Sequence, residues 1–417
     1  MQTVTRKVIL ALTFAIVGIG HVSAEPTITQ ITHGPAHHFY GYIGHVGNTP
    51  WSGDGSKMVM LRTTFQDHMP RRYDTADIVL LDTQNNYALT KIEETRAWNP
   101  QQGTMLYWNP EAPNTQFFFN DRDRRTRKIF CVLYDIEKQK RIKEYRFDDI
   151  SIGNGGIAQK GGYFLGLNYG RMDRLRRVTG YPEAFDWTNG VLHPKDDGIH
   201  KVNVATGERT LLVSFAQLAD MIAPRHPHID KSSLFINHSL WSPNDQRIMF
   251  YARANWNVKV APRINDFFTV DADGTNLVIH KVCPGGHPEW LSDSTVISGG
   301  KVGQFTYDAA RQAGGQILGN DKIFPDPEGD IALSPNGTLL VNGHKSGEGN
   351  EFTIYNLKTK KWMRTPPITR GEYKKGDLRI DPAPTWHPDN QAIAVPGLAP
   401  DGTRQTFIIE FNTSELD

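Results

Sequence analysis

Two histidines, His238 and His287, each stand three residues before a tryptophan, Trp241 and Trp290, and Cys283 lies four residues before His287. With a carboxylate such as Asp197 or Asp381 they would make a His, Cys, His, Asp set for a divalent ion, with zinc, calcium and manganese as the candidates. The Cys-x3-His spacing fixes no metal by itself, and a histidine in such a slot serves equally as a hydrogen-bonded structural group. His280, inside the apolar run from Leu277 to Val282, reads as structural. No organic cofactor is expected.

The second concentration of chemistry lies between Asn168 and Asp197. Arg171, Arg174, Arg176 and Arg177 fall within seven residues, with Tyr169 before them, Tyr181 after them and Lys195-Asp196-Asp197-Gly198 at the end. A guanidinium grips carboxylate or sulfate with two parallel N–H bonds, and a tyrosine beside cations can exchange a proton. These groups suit one reaction class. β-Elimination from a uronate needs a cation to neutralise the carboxylate and acidify the C5 proton, a base to remove that proton, and an acid for the departing O4. Hydrolysis fits less well, because no pair of carboxylates stands out and no Gly-x-Ser-x-Gly elbow is present.

These residues must be brought together by repeated elements. An aromatic residue, a polar turn and an apolar run recur at Trp51-Ser52-Gly53-Asp54, Trp108-Asn109-Pro110-Glu111, Trp241-Ser242-Pro243-Asn244, Trp290-Leu291-Ser292-Asp293 and Trp386-His387-Pro388-Asp389, with Leu333-Ser334-Pro335-Asn336 as a copy lacking the aromatic. Pro with Asp or Asn sets the turn, and runs such as Arg247 to Tyr251 read as strands. Strand–turn–strand patterns follow at 78–92, 129–145, 198–213, 267–282 and 352–363. Each unit thus has four strands. The double-length gap between 108 and 241 admits one degenerate unit opening at Gly156 to Leu167, which makes seven.

The predicted fold is an all-β, seven-bladed propeller. The last unit, from Pro384, ends at Gln405 to Phe411 one strand short, and Thr27 to Thr32 is an unattached strand, so pairing the two ends would close the ring. Residues just before each innermost strand converge on the channel mouth. Those slots hold His45, Gln101 and Gln102, Asn237 and His238, Cys283 and His287, and Arg379 and Asp381.

Of the 417 residues, 46 are Lys or Arg and 45 are Asp or Glu, so no global field recruits nucleic acid or an anionic membrane. Arg6 and Lys7 precede an apolar run from Val8 to Gly18, and Val22-Ser23-Ala24 offers a cleavage site before Glu25. This predicts a signal peptide over 1–24, a secreted or periplasmic mature chain, and one domain over 25–417. Cys131 and Cys283 make no disulfide framework, and Cys131, within Ile129 to Leu133, reads as a core residue.

Several stretches together resemble the propeller family that includes the oligogalacturonate lyases and the ulvan lyases. They are Trp98-Asn99-Pro100-Gln101-Gln102-Gly103, Asn120-Asp121, Leu167-Asn168-Tyr169-Gly170-Arg171, Gly180-Tyr181, Asp196-Asp197-Gly198, Asn237-His238, Arg253 and Gly376 to Asp381. The resemblance implies cleavage of an acidic polysaccharide by elimination. Tyr181 or Tyr169 would be base and acid, Arg171 or Arg177 the carboxylate clamp, and His238 an assisting group. Gln102, Asn168, Arg174, Arg253 and Arg379 would bind substrate, and a metal would sit on His238, Cys283, His287 and Asp197. An exported chain meeting a polymer, with surplus arginines for sulfate, points to an ulvan-like substrate. The alternatives are pectic oligogalacturonate and a non-catalytic periplasmic propeller that binds protein or glycan. A monomer acting on an acidic polysaccharide or oligosaccharide is expected.

Overall fold

The computed structural model describes residues 20, 25–41, 49–257, 260–347 and 349–417. The predicted leader, apart from Gly20, and His45 lie outside the described residues.

The recurring tryptophan explains how neighbouring units adhere. In four copies its indole N–H donates to a backbone carbonyl of the preceding unit: Trp108 to Pro50 at 2.7 Å, Trp241 to Gly156 at 3.3 Å, Trp290 to Leu240 at 3.1 Å and Trp386 to Ala332 at 2.9 Å. The turn after it is equally regular. Ser52, Ser242 and Ser334 donate to Asp54, Asn244 and Asn336 at 2.7–2.8 Å. Each serine oxygen then accepts the N–H five residues on, from Lys57, Arg247 or Leu339, at 2.9–3.0 Å. A bond of this kind contributes about 1 kcal/mol, and it recurs in blades one, four and six.

Among the described residues these units are seven antiparallel sheets of four strands in order, the sixth with an added short strand, Ile368–Thr369. Blade one holds His37–Phe39, Lys57–Thr63, Ala76–Asp82 and Ala88–Thr95. Blade three is the unit expected in the long gap, with Gly153–Ile157 innermost. Blade seven joins Thr385–Trp386, Ala392–Leu398 and Arg404–Glu410 to the N-terminal Thr27–Gln30, with Ile28 opposite Ile409. The ring therefore closes by the predicted exchange of ends. The largest apolar cluster runs through blades one to four and takes in Ala394 and Ile408 of blade seven, and Cys131 is buried in it. His280 is buried too, between the Thr269 hydroxyl at 2.9 Å and the Tyr307 hydroxyl at 3.0 Å, as its place in a strand suggested. No helix among the described residues is long and apolar enough to cross a membrane.

The segment after Leu167 is more ordered than a basic loop. Asn168 caps a helix, Tyr169–Leu175, by accepting from the Arg171 N–H, and a 3-10 turn, Arg177–Thr179, follows. Sequence reading missed this helix because only seven residues carry it and the surrounding pattern is strand-like.

Candidate functional site

The inner strands of blades four to seven bring a chain of polar groups to one end of the channel. In Phe235–Trp241 a β-bulge falls between Asn237 and Leu240, and His238 takes a φ of +53° there. A non-glycine residue in that conformation costs energy and is retained where its side chain must be re-aimed. The His238 ring lies 5.2 Å, edge to face, from His287 and 5.8 Å from Tyr251. His287 Nδ1 is 3.3 Å from Asp330 Oδ1, at the start of blade six, and 3.3 Å from the Glu328 carbonyl. The other Asp330 oxygen accepts the Ala383 N–H of blade seven at 2.9 Å. Burial raises the Asp330 carboxyl above the usual range, with His287 opposing and Asp381 adding to the shift. Asp330 Oδ1 and the Glu328 carbonyl thus both lie against Nδ1 and orient the imidazole ring.

Beside this series stands a cationic cluster on an aromatic face. The guanidinium carbons of Arg176, Arg263 and Arg253 lie 4.4, 4.6 and 5.2 Å from the Trp256 ring centre. Arg253 also donates to Asn265 Oδ1 at 2.7 Å and stacks on Tyr251. Burial, then the charges of Arg253 and Arg379, pull Arg176 down to about 9, and burial pulls Arg253 down to about 10. These charges are therefore poorly solvated and mutually repelling, which favours an anionic ligand. A cleft of about 890 Å³ opens from Arg253 and Trp256 across blade five, passing Cys283 and Lys301. Its size suits an oligomeric ligand.

The residues singled out in the sequence divide between this mouth and the protein interior. His238, His287, Arg253, Arg379 and Cys283 are at the mouth or in the cleft. Gln102 shares a small cavity with His238 and the wall formed by Tyr169. Arg379 pairs with Asp381 at 2.9 Å, and Lys345 meets the same oxygen at 2.6 Å. Tyr169 and Tyr181 are fully buried, stacked at 4.3 Å. The Tyr169 hydroxyl donates to the Asn154 carbonyl at 2.6 Å, and the Tyr181 hydroxyl accepts from Asn120 at 2.9 Å. Burial raises both phenols far above their ordinary value. Arg171 is buried against the carbonyls of Leu234, Val191 and Leu192. Arg174 pairs with Asp186 at 2.9 Å, and Asn168 donates to Asp186 and Asp197. Arg177 is exposed, near Asp173.

The metal set expected from spacing is corrected by these positions. Asp197 is buried against Asn168, Thr188 and the Gly198 N–H, inside the blade-three insertion. Among the described residues no group of three or more His, Cys, Asp or Glu side chains is arranged to hold a metal ion. Sequence reading missed Trp256, Arg263, Asp330 and Lys345 as members of the mouth, and placed Arg176 only in a basic run. An off-repeat tryptophan between Arg253 and Arg263 was the available signal.

No family model and no curated protein matches the chain by sequence. Its fold is similar to that of a solved oligogalacturonate lyase in complex with manganese, with a TM-score of 0.63 at 16% identity over 95% of this chain and 96% of that one. It is also similar to a chain of the mitotic checkpoint complex, with a TM-score of 0.50 at 10% identity over 99% of both. The seven-bladed propeller thus resembles the oligogalacturonate lyase structure at low sequence identity.

Proposed function

We propose that the chain is a lyase cleaving a uronate-containing oligosaccharide by β-elimination, with oligogalacturonate preferred over an ulvan-like polymer. The observation that carries this reading is the cluster of Arg176, Arg253 and Arg263 on Trp256, placed beside the His238–His287–Asp330 series. The fold likeness to an oligogalacturonate lyase supports it and favours the pectic substrate.

In this reading the arginines pair with the carboxylate of the uronate and stabilise the charge that spreads onto it as the C5–H bond breaks. His287, oriented by Asp330, takes the proton at Nε2. The electron pair forms the C4–C5 double bond as the C4–O4 bond breaks. The departing oxygen takes a proton from His238, 5.2 Å away ring to ring. Tyr169, its phenol raised by burial, lines the small cavity beside His238, and Tyr181 stacks on it. The donor set does not assemble a metal site among the described residues, and no step here is routed through one.

The test is incubation of the mature chain with oligogalacturonate, pectate and ulvan, reading the ultraviolet absorbance of the unsaturated product and its mass. The expected result is a new unsaturated end on oligogalacturonate. Binding of uronates without any unsaturated product would overturn catalysis and leave a glycan-binding propeller.

A further inference from the structure

A second cationic corner lies apart from Trp256, where blade seven meets blade one. Arg404 opens the strand Arg404–Glu410 and is only 3% exposed, yet among the described residues its Nε and Nη1 have no hydrogen-bond partner. Its guanidinium rests on Phe39 with 4.8 Å to the ring centre. Arg370, 5% exposed, gives Nη2 to the Ser346 carbonyl at 3.0 Å and leaves Nε without a partner. Gln66, also buried, has neither amide atom paired. Gly371, next to Arg370, packs on the Leu398 side chain, Leu398 pairs with Arg404 across the strands of blade seven, and the Arg404 N–H donates to His37 Nδ1 at 3.0 Å, which places these groups in one corner.

Two buried guanidinium groups with unpaired N–H atoms need an explanation, because such groups are costly in a folded chain. Asp381 is the nearby carboxylate acting on both Arg404 and Arg370, but its own direct partners are Arg379 and Lys345. Asp67 and Asp401 are exposed on the rim. Water would satisfy hydrogen bonds and leave the charge uncompensated. Tyr40, which follows Phe39, donates to the Ala383 carbonyl at 2.8 Å, and the Ala383 N–H donates to Asp330 at 2.9 Å, so the corner adjoins the histidine series of the mouth.

We propose that Arg404, with Arg370, is a second anion subsite that takes another carboxylate of the same bound oligosaccharide, so that the preferred ligand carries at least two uronates. This rests on the uronate reading of the mouth and extends it to blades six and seven. Burial holds Arg404 down to about 10, with Asp381 opposing the shift.

The experiment is calorimetric titration of the full chain with two oligosaccharides of equal length, one bearing a single uronate and one bearing two. The wild type should bind the doubly charged ligand tighter by on the order of tenfold or more, the effect of an added charge-assisted hydrogen-bonded pair. Arg404→Gln should abolish that preference, keep the affinity for the singly charged ligand, and leave Tm no lower than in the wild type. Arg404→Lys should keep the preference through its charge, and Arg370→Gln should reduce it. A wild type that binds both ligands equally would overturn this subsite and leave the mouth reading standing, whereas failure to bind either would overturn both. A preference that survives Arg404→Gln, or an Arg404→Gln chain with lowered Tm and equal loss for both ligands, would make Arg404 merely structural.

Discussion

The two ends of the channel are made by the same inner strands and differ in kind. At one end the repeat is regular: Trp51, Trp108 and Trp386, with Pro110, Pro335 and Pro388, line an apolar cavity of about 280 Å³. At the other end the repeat breaks down. A bulge turns His238, a 168–197 insertion supplies Arg176, and an off-repeat Trp256 gathers three guanidinium groups. Regularity serves closure, since Trp108, Trp241, Trp290 and Trp386 each tie their blade to the one before through the indole N–H. Irregularity concentrates poorly solvated charge, which destabilises the free chain and favours a ligand.

If that division holds, the ends should respond to substitution in opposite ways. Trp386→Ala at the regular end removes a buried indole and its bond to Ala332, and should lower unfolding free energy by about 3–5 kcal/mol, with turnover per folded molecule unchanged. Denaturant titration checks the first part and active-site-normalised rates the second; a loss of turnover without a loss of stability would reverse the assignment. Arg253→Gln at the irregular end should cost on the order of a hundredfold in elimination rate and leave Tm as high as before. A variant that unfolds but retains its specific rate would move Arg253 into the scaffold.

The support of the irregular end can be tested through pH. Asp173 lies on the helix of the insertion, its Oδ1 buried without a partner, and burial raises its carboxyl to about 6. The folded chain therefore binds this proton more tightly than the unfolded one, so the stabilisation is present below about pH 4 and is lost as pH rises through about 6. Asp173→Asn should remove that loss and raise stability at pH 7 by about 1–2 kcal/mol relative to wild type, after allowance for its partial exposure. Unfolding curves at pH 4 and pH 7 decide it, and an unchanged pH slope would rule Asp173 out. The smallest effect is expected from Tyr181→Phe, which removes one buried acceptor for Asn120 and should cost about 1 kcal/mol of stability, with turnover altered less than about threefold. A collapse of turnover in this variant would return the base to the tyrosine.

The histidines could be found from sequence because they occupy the same slot in consecutive units: a repeat carries equivalent residues to equivalent places. Asp197 could not be excluded in that way. Its side chain turns into the insertion, where Asn168 and Thr188 bind it, and spacing carries no information on side-chain direction. The basic run gave composition without orientation. Arg171 faces inward to carbonyls and Arg176 lies on Trp256, although only four residues separate them.

The amino-acid order alone determined the number of blades, the stitching tryptophans and the exchange of chain ends, because these follow from local turn chemistry repeated at near-constant intervals. Which arginines meet a ligand was decided only when the ring closed. Arg176, Trp256 and Asp381 come from three distant parts of the chain, and their meeting depends on blade geometry that no local pattern encodes.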